Sequence, residues 1–240
     1  MAETDTHRDA MADTIATLKE FYRTASDVYV AGNLLLYYEE GNRAASIAPD
    51  VFVVFGIAKG RRRTYKLWEE GRSPDVVIEF TSGSTRLEDL GTKRYLYAAL
   101  GVHEYFLCDP LGEYLNPPLQ GYTLEDGEYT RLAADAEETL LSRRLGLWFQ
   151  REGGRLRLMR AATGERLLWP DELAALSRAE AAAREDAEGR AREAEGRARA
   201  EAETRHAAEE RLAATEAELA QLRAELARRR HAPDGGTQQD

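Results

Sequence analysis

The sequence predicts an α/β domain over residues 1–170, followed by a long charged helix over residues 171–232 and a disordered tail over 233–240. Two observations carry this reading. In the front of the chain, short β-branched or aromatic runs such as Val51–Phe55 and Val76–Phe80 alternate with segments of helical periodicity, as in sheets covered by helices. From Pro170 the composition changes abruptly to Ala, Glu and Arg, all strong helix formers, with no further proline until Pro233.

Helical spacing comes first: between residues 8 and 25, Met11, Ile15, Leu18, Phe21 and Tyr22 recur at steps of three and four. Strands are then expected at Val28–Val30, Leu34–Tyr38 and Val51–Phe55, with turns at Gly32-Asn33 and Glu40-Gly41-Asn42. The run Val76–Phe80 is β-branched enough to be buried on both faces of a sheet. Thr85 and Glu88 have the T-x-x-E spacing of a capping box, so a helix is expected from there to Leu100, stopping at Gly101. Glu104–Cys108 reads as the next strand. Between Tyr114 and Leu168, Asp126-Gly127 and Gly153-Gly154 mark two hairpins in a β-rich extension that shows no obvious chemistry. In the final helix Leu212, Leu219 and Leu226 recur every seven residues with Leu222 at a second seam position, so a coiled coil is credible over about the last three heptads.

Charge narrows the partners. The formal net charge is −10, with 21 Lys+Arg against 26 Asp+Glu in residues 1–170 and 12 against 17 in residues 171–240. The acidic balance argues weakly against tight nucleic-acid binding, yet the mildly acidic front domain neither requires nor excludes a DNA substrate. The single cysteine, Cys108, sits in an apolar run and reads as a small buried hydrophobe. The N-terminal residues lack the basic start and apolar stretch of a secretion signal, and no apolar run is long enough to span a bilayer, so a cytoplasmic location is expected.

The residues with chemical potential are few. Asp50 begins one strand and Glu79 lies near the end of another, and two such carboxylates can converge on one divalent cation; Mg²⁺ in particular is content with few protein ligands and several waters. Acidic strand ends are also commonly just solvated. Asp89, Lys93 and Tyr97 share one helical face by their i, i+4 spacing, and Asp89–Lys93 alone would be an ordinary surface pair. Lys59, Arg61, Arg62, Arg63 and Lys66 form a basic segment that could track a nucleic-acid backbone or simply cap a solvated hairpin tip. Glu39 and Glu40 flank a turn and read as solvent-exposed, and His103 reads as structural.

The ordered series Ala48-Pro49-Asp50-Val51-Phe52-Val53-Val54, Pro74 to Ser82, Asp89-Leu90-Gly91-Thr92-Lys93, Tyr97, Gly101-Val102 and Glu104 to Pro110 resembles the Uma-two family of restriction endonucleases, within the PD-(D/E)XK nuclease superfamily. The likeness covers roughly residues 10–170. It implies a restriction-endonuclease-like core: a mixed sheet with flanking helices and a metal site at one edge. It further implies Asp50 and Glu79 as the acidic pair, with the Phe80 backbone carbonyl as a further ligand of Mg²⁺ or Mn²⁺. Thr81 stands where the superfamily's general motif has lysine; in the Uma-type variant the lysine comes from the following helix, and Lys93 occupies that place. The expected activity is Mg²⁺-dependent hydrolysis of phosphodiester bonds in DNA. The alternative is a non-catalytic binding or assembly protein that keeps the nuclease fold as a scaffold and forms a homo-oligomer through its C-terminal helix.

Overall fold

The computed structural model describes residues 4–230. In chain order its first elements are α1 (Asp5–Phe21), β1 (Val28–Ala31), β2 (Leu36–Tyr37), β3 (Ser46–Ile47), β4 (Val51–Phe55), β5 (Tyr65–Lys66), α2 (Leu67–Glu70) and β6 (Val76–Phe80). A bent helix follows, made of α3 (Arg86–Glu88), a π-helical turn (Asp89–Lys93) and α4 (Arg94–Ala99). The chain continues with β7 (Glu104–Cys108), β8 (Leu119–Glu125), β9 (Glu128–Arg131), β10 (Leu140–Ser142), β11 (Leu147–Glu152), β12 (Arg155–Arg160) and α5 (Pro170–Arg230). It divides into two compact units between Ala175 and Leu176.

A six-stranded mixed sheet in the order β1-β4-β6-β7-β8-β9 is the centre of the first unit. β6 and β7 run parallel, with Val76 opposite Glu104 and Phe80 opposite Cys108, so the chain must cross over between them, and the bent helix makes that crossing. All other neighbours in this sheet are antiparallel. Both faces are covered, which is why β4, β6 and β7 read as nearly continuous apolar runs. On one face Val51, Val53, Ile78, Phe80 and Phe106 pack with α1 residues Ala10, Met11 and Leu18 and with Leu147, Phe149 and Leu158 from the three-stranded sheet β10-β11-β12. On the other, Phe52, Val54, Val77, Tyr105 and Leu107 pack with Tyr97, Leu36 and Tyr65. Cys108 is fully buried, and burial pushes its thiol up to about 12.

Several expectations are corrected. The first helix spans Asp5–Phe21 rather than 8–25: the Thr4 hydroxyl accepts the His7 N–H at 3.3 Å at one end, and the Lys59 ammonium donates to the carbonyls of Tyr22 and Arg23 at 2.5 and 3.1 Å at the other. The strand expected over Leu34–Tyr38 shrinks to β2, which joins β3 and β5 in a small sheet. Because β5 pairs parallel with β2 and not with β4, the basic segment lies in a connecting loop and not at a hairpin tip. Thr85 makes no side-chain cap bond to the helix it precedes; its hydroxyl instead accepts the Ser82 N–H at 3.0 Å, so no capping box forms.

The hairpin at Asp126-Gly127 joins β8 to β9, with both turn residues at positive φ, and the one at Gly153-Gly154 joins β11 to β12. α5 is a single 61-residue helix that begins with Pro170, a residue preorganised for a first helical turn. Its leucines 212, 219, 222 and 226 are exposed. The tail expected over 233–240 lies outside the described residues. No helix among them is long and apolar enough to cross a membrane.

Candidate active site

The parallel β6–β7 pair and the helix crossing between them bring the site together. β4 runs antiparallel to β6, Val51 opposite Ile78, so the residue just before β4 lies beside the end of β6. The Asp50 Oδ2 accepts the Phe80 N–H at 2.7 Å, and the Asp50 N–H points to the Glu79 Oε2 at 3.4 Å. Gly32 makes room for this strand end: a Cβ there would collide with the Asp50 carbonyl oxygen and the Ile15 side chain.

Lys93 reaches the same place from the π-helical turn. Its ammonium lies 3.0 Å from Glu79 Oε2 and 2.9 Å from Asp89 Oδ1. One helical turn on, the Tyr97 hydroxyl donates to Glu79 Oε1 at 2.6 Å. The Asp89, Lys93 and Tyr97 side chains thus converge on Glu79, as their common helical face suggested. A π-type turn is uncommon and recurs at functional sites; here it contains both charged residues of that face.

Asp50, Glu79 and Lys93 are therefore brought together, but at different depths. Glu79 and Asp89 are sealed from solvent, whereas Asp50 and Lys93 line an open cleft of about 700 Å³ with Thr81, Ser82, Ser84 and Asn33. The Lys93 ammonium pairs with Glu79 and Asp89, and Asp50 adjoins them, so carboxyl groups outnumber the ammonium. Burial, reinforced by Asp50, drives the Glu79 carboxyl well above its ordinary range, and Lys93 offsets this only in part. Burial pulls the other way on Lys93, but Glu79 and Asp89 outweigh it and hold the ammonium charged. Burial and Glu79 together raise Tyr97, keeping its hydroxyl a donor.

His7, outside the helix read from the sequence, lines the same cleft with its Nε2 3.4 Å from Asp50 Oδ2. Helical spacing could have included it, since Ala10, Met11 and Thr14 continue the buried face one turn on. The basic segment is elsewhere. Lys59 braces α1, Arg62 pairs with Glu70 and covers the Tyr29 ring, and Lys66 pairs with Glu69, while none of Lys59, Arg61, Arg62, Arg63 and Lys66 lines the cleft. Lys59, Arg61 and Arg62 line a separate groove of about 560 Å³ along β1. Glu39 and Glu40 are exposed, and His103 lies 3.7 Å from Asp75.

Comparison with known proteins adds the family. Residues 1–177 match the model of Uma2, described as "Putative restriction endonuclease". The chain belongs to the Uma2 family. Among solved structures, this Uma2 chain is similar to "a putative nuclease belonging to DUF820 from Anabaena variabilis ATCC 29413", with 12% identity, a TM-score of 0.45, and coverage of 60% of this chain and 76% of that one. None of the curated proteins matches. Membership of Uma2 makes the first unit nuclease-like, and most of α5 lies beyond the matched region.

Among the described residues no three His, Cys, Asp or Glu side chains form a ready-made metal cage. The donor set nevertheless suits a hard dication with few protein ligands. Asp50 and Glu79 adjoin at the strand ends, carboxyl groups outnumber the ammonium, and among the described residues the buried Thr81 hydroxyl in the same cleft has no hydrogen-bond partner.

Proposed function

We propose that this protein is a divalent-metal-dependent endonuclease that hydrolyses phosphodiester bonds in DNA, with Asp50, Glu79 and Lys93 as its catalytic residues. One observation carries the reading: Lys93, from the crossover helix, sits 3.0 Å from Glu79 beside Asp50, in a cluster where carboxyl groups outnumber the ammonium, at an open cleft. Asp50, Glu79 and the Phe80 carbonyl would hold the metal. In an extended strand the N–H and C=O of one residue point to the same side, and the Phe80 N–H meets Asp50, so its carbonyl faces that edge too. Mg²⁺ or Mn²⁺ bound there supplies charge neutralisation at a phosphate oxygen and a water of lowered pKa.

The chain's own groups do the rest. Tyr97 fixes the Glu79 carboxylate through its short hydrogen bond, and Asp89 holds Lys93 from the other side. The Lys93 ammonium, held charged, stabilises the negative charge that gathers on the phosphate as the bond breaks. Of the exposed members of the basic segment, Lys59 is engaged with α1, and Arg61 and Arg63 remain to meet a phosphate backbone.

Two measurements test the reading. Millimolar Mg²⁺ or Mn²⁺ raises the thermal midpoint of the wild type and not of Asp50→Ala, because a ligand of the folded state alone stabilises it. DNA cleavage falls by roughly 10²–10³ in Lys93→Ala, the scale of losing one preorganised charge-stabilising group. No metal shift together with no cleavage of any DNA form sinks the proposal.

The exposed leucine seam of α5 favours a second role alongside the first, that of association with another copy of this helix in a coiled coil. A chain ending at Ala175 then has the mass of a monomer while the full chain does not; equal oligomeric states would discard it. A full-length protein that oligomerises but neither binds metal nor cuts DNA would make the molecule an assembly protein on a nuclease scaffold.

A further inference from the structure

The hydroxyls of the segment Thr81-Ser82-Gly83-Ser84-Thr85, which joins β6 to the crossover helix, fall into two groups. Ser82 Oγ lies 3.1 Å from Ser84 Oγ and 3.2 Å from Thr85 Oγ1, and Thr85 Oγ1 also accepts the Ser82 N–H. Those three satisfy one another. Thr81 Oγ1 is buried and has no hydrogen-bond partner among the described residues.

Its position is fixed by the sheet rather than by a loop. The Thr81 N–H donates to the Cys108 carbonyl at 2.8 Å, continuing the β6–β7 ladder by one residue. Thr81 follows Glu79 by two, so strand alternation puts both side chains on one face. Thr81 is 1% exposed and contributes to the lining of the cleft that also contains Asp50 and Lys93. A buried hydroxyl without a partner is destabilising and uncommon, and valine would fill the same volume without that cost. The hydroxyl is both a donor and an acceptor. In a cleft lined also by Lys93, Ser82, Ser84 and Asn33, its natural complement is an anionic oxygen.

We infer that the Thr81 hydroxyl is a substrate-binding group, donating a hydrogen bond to a non-bridging oxygen of the phosphodiester seated at Asp50 and Lys93. The inference rests on the nuclease reading above and adds to it a specific contact to the substrate, made where the general motif would place a lysine.

The test uses full-length wild type, Thr81→Val and Thr81→Ser. Three quantities are measured: the thermal midpoint without ligand, binding of a labelled DNA oligonucleotide by fluorescence anisotropy in Ca²⁺, and steady-state cleavage in Mn²⁺. Thr81→Val is expected to raise the free protein's midpoint by about 2–4 °C, the scale for a domain of this size relieved of one unpaired buried group. It weakens oligonucleotide binding about tenfold and raises KM by a similar factor with kcat little changed, the pattern of a lost ground-state contact. Thr81→Ser restores binding to within about threefold of the wild type. A lower midpoint in Thr81→Val would show that the hydroxyl serves the fold and overturns the inference. So does a raised midpoint with unaltered binding, which leaves the nuclease reading standing. Wild type that neither binds nor cuts DNA removes the nuclease reading itself, and this inference with it.

Discussion

The first unit contains two buried ionic clusters built from similar residues, and they are balanced in opposite ways. Around Arg157, which is 1% exposed, the guanidinium donates to both Glu172 oxygens at 2.8 Å, to the Leu167 carbonyl at 3.0 Å and to Glu152 at 3.2 Å, and lies over the Trp169 ring. Its donors are satisfied, its charge is more than matched, and it fastens the first turn of α5 to the β11–β12 hairpin. Around Lys93, one ammonium pairs with the two sealed carboxyl groups of Glu79 and Asp89, and Asp50 adjoins them at the cleft. Arg157 hydrogen-bonds hold the Glu172 carboxyl down at about 2, whereas burial pushes Glu79 up. The first arrangement is what stability alone selects; the second leaves charge unbalanced at a cleft, where a ligand can balance it.

Substitutions should separate the two clusters, beginning with the largest effect. Arg157→Ala costs about 3 kcal/mol in urea unfolding, because it strips a buried planar cation from its partners; activity per folded molecule stays at the wild-type level, and a loss there would mean the clusters are coupled. Neutralising one glutamate in each cluster should then give opposite signs. Glu172→Gln lowers stability by about 1 kcal/mol, a modest figure because the side chain is 35% exposed, while Glu79→Gln raises it by about the same amount at neutral pH and abolishes cleavage. Two changes of the same sign would end the distinction.

The pH dependence should divide in the same way. Glu172 has its folded pKa depressed to about 2 from 4.5, so its contribution is complete above about 4.5 and is lost as pH falls toward 2. Glu79 has its folded pKa raised above 4.5, so the stability of its protonated form is complete below about 4.5 and is lost as pH rises beyond that range. Unfolding curves of wild type and each Gln variant should therefore converge in acid and separate as pH rises, with the wild type the more stable against Glu172→Gln and the less stable against Glu79→Gln. At the small end, Arg184→Ala, which removes an exposed i, i+4 pair with Glu188 on α5, should move the thermal midpoint by no more than about 1 °C. A larger shift would mean that water does not screen this pair as it screens most.

Much of the frame was legible in the residues. Period-two and β-branched runs located β4, β6 and β7, the Asp126-Gly127 and Gly153-Gly154 turns located the hairpins, and composition located α5, since each of these signals is local. The misreadings share a cause. Lys59 ends α1 from 36 residues away, and Ser82 takes the Thr85 hydroxyl that a capping box would need. Neither contact can be read from periodicity.

Acidic residues at strand ends illustrate the limit best. Asp50, Asp75, Glu79, Glu104 and Asp109 look alike along the chain. In the fold, Asp75 accepts the Phe55 N–H, Glu104 accepts two loop N–H groups and the Ser142 hydroxyl, and Asp109 is wrapped by the N–H groups of Leu111, Gly112 and Leu115. Those three are satisfied by the protein itself. Glu79 has a tyrosine, a shared lysine and a distant N–H. The sequence by itself located most of the strands and helices and carried the family resemblance that singled out Asp50, Glu79 and Lys93, because hydrophobic period and spacing are written in consecutive residues. Only the tertiary structure decided which carboxyl groups are held by loop N–H groups and which by a lysine and a tyrosine at a cleft, that Thr81 lacks a partner among the described residues, and that His7 joins the cleft, because these contacts depend on groups that meet from distant parts of the chain.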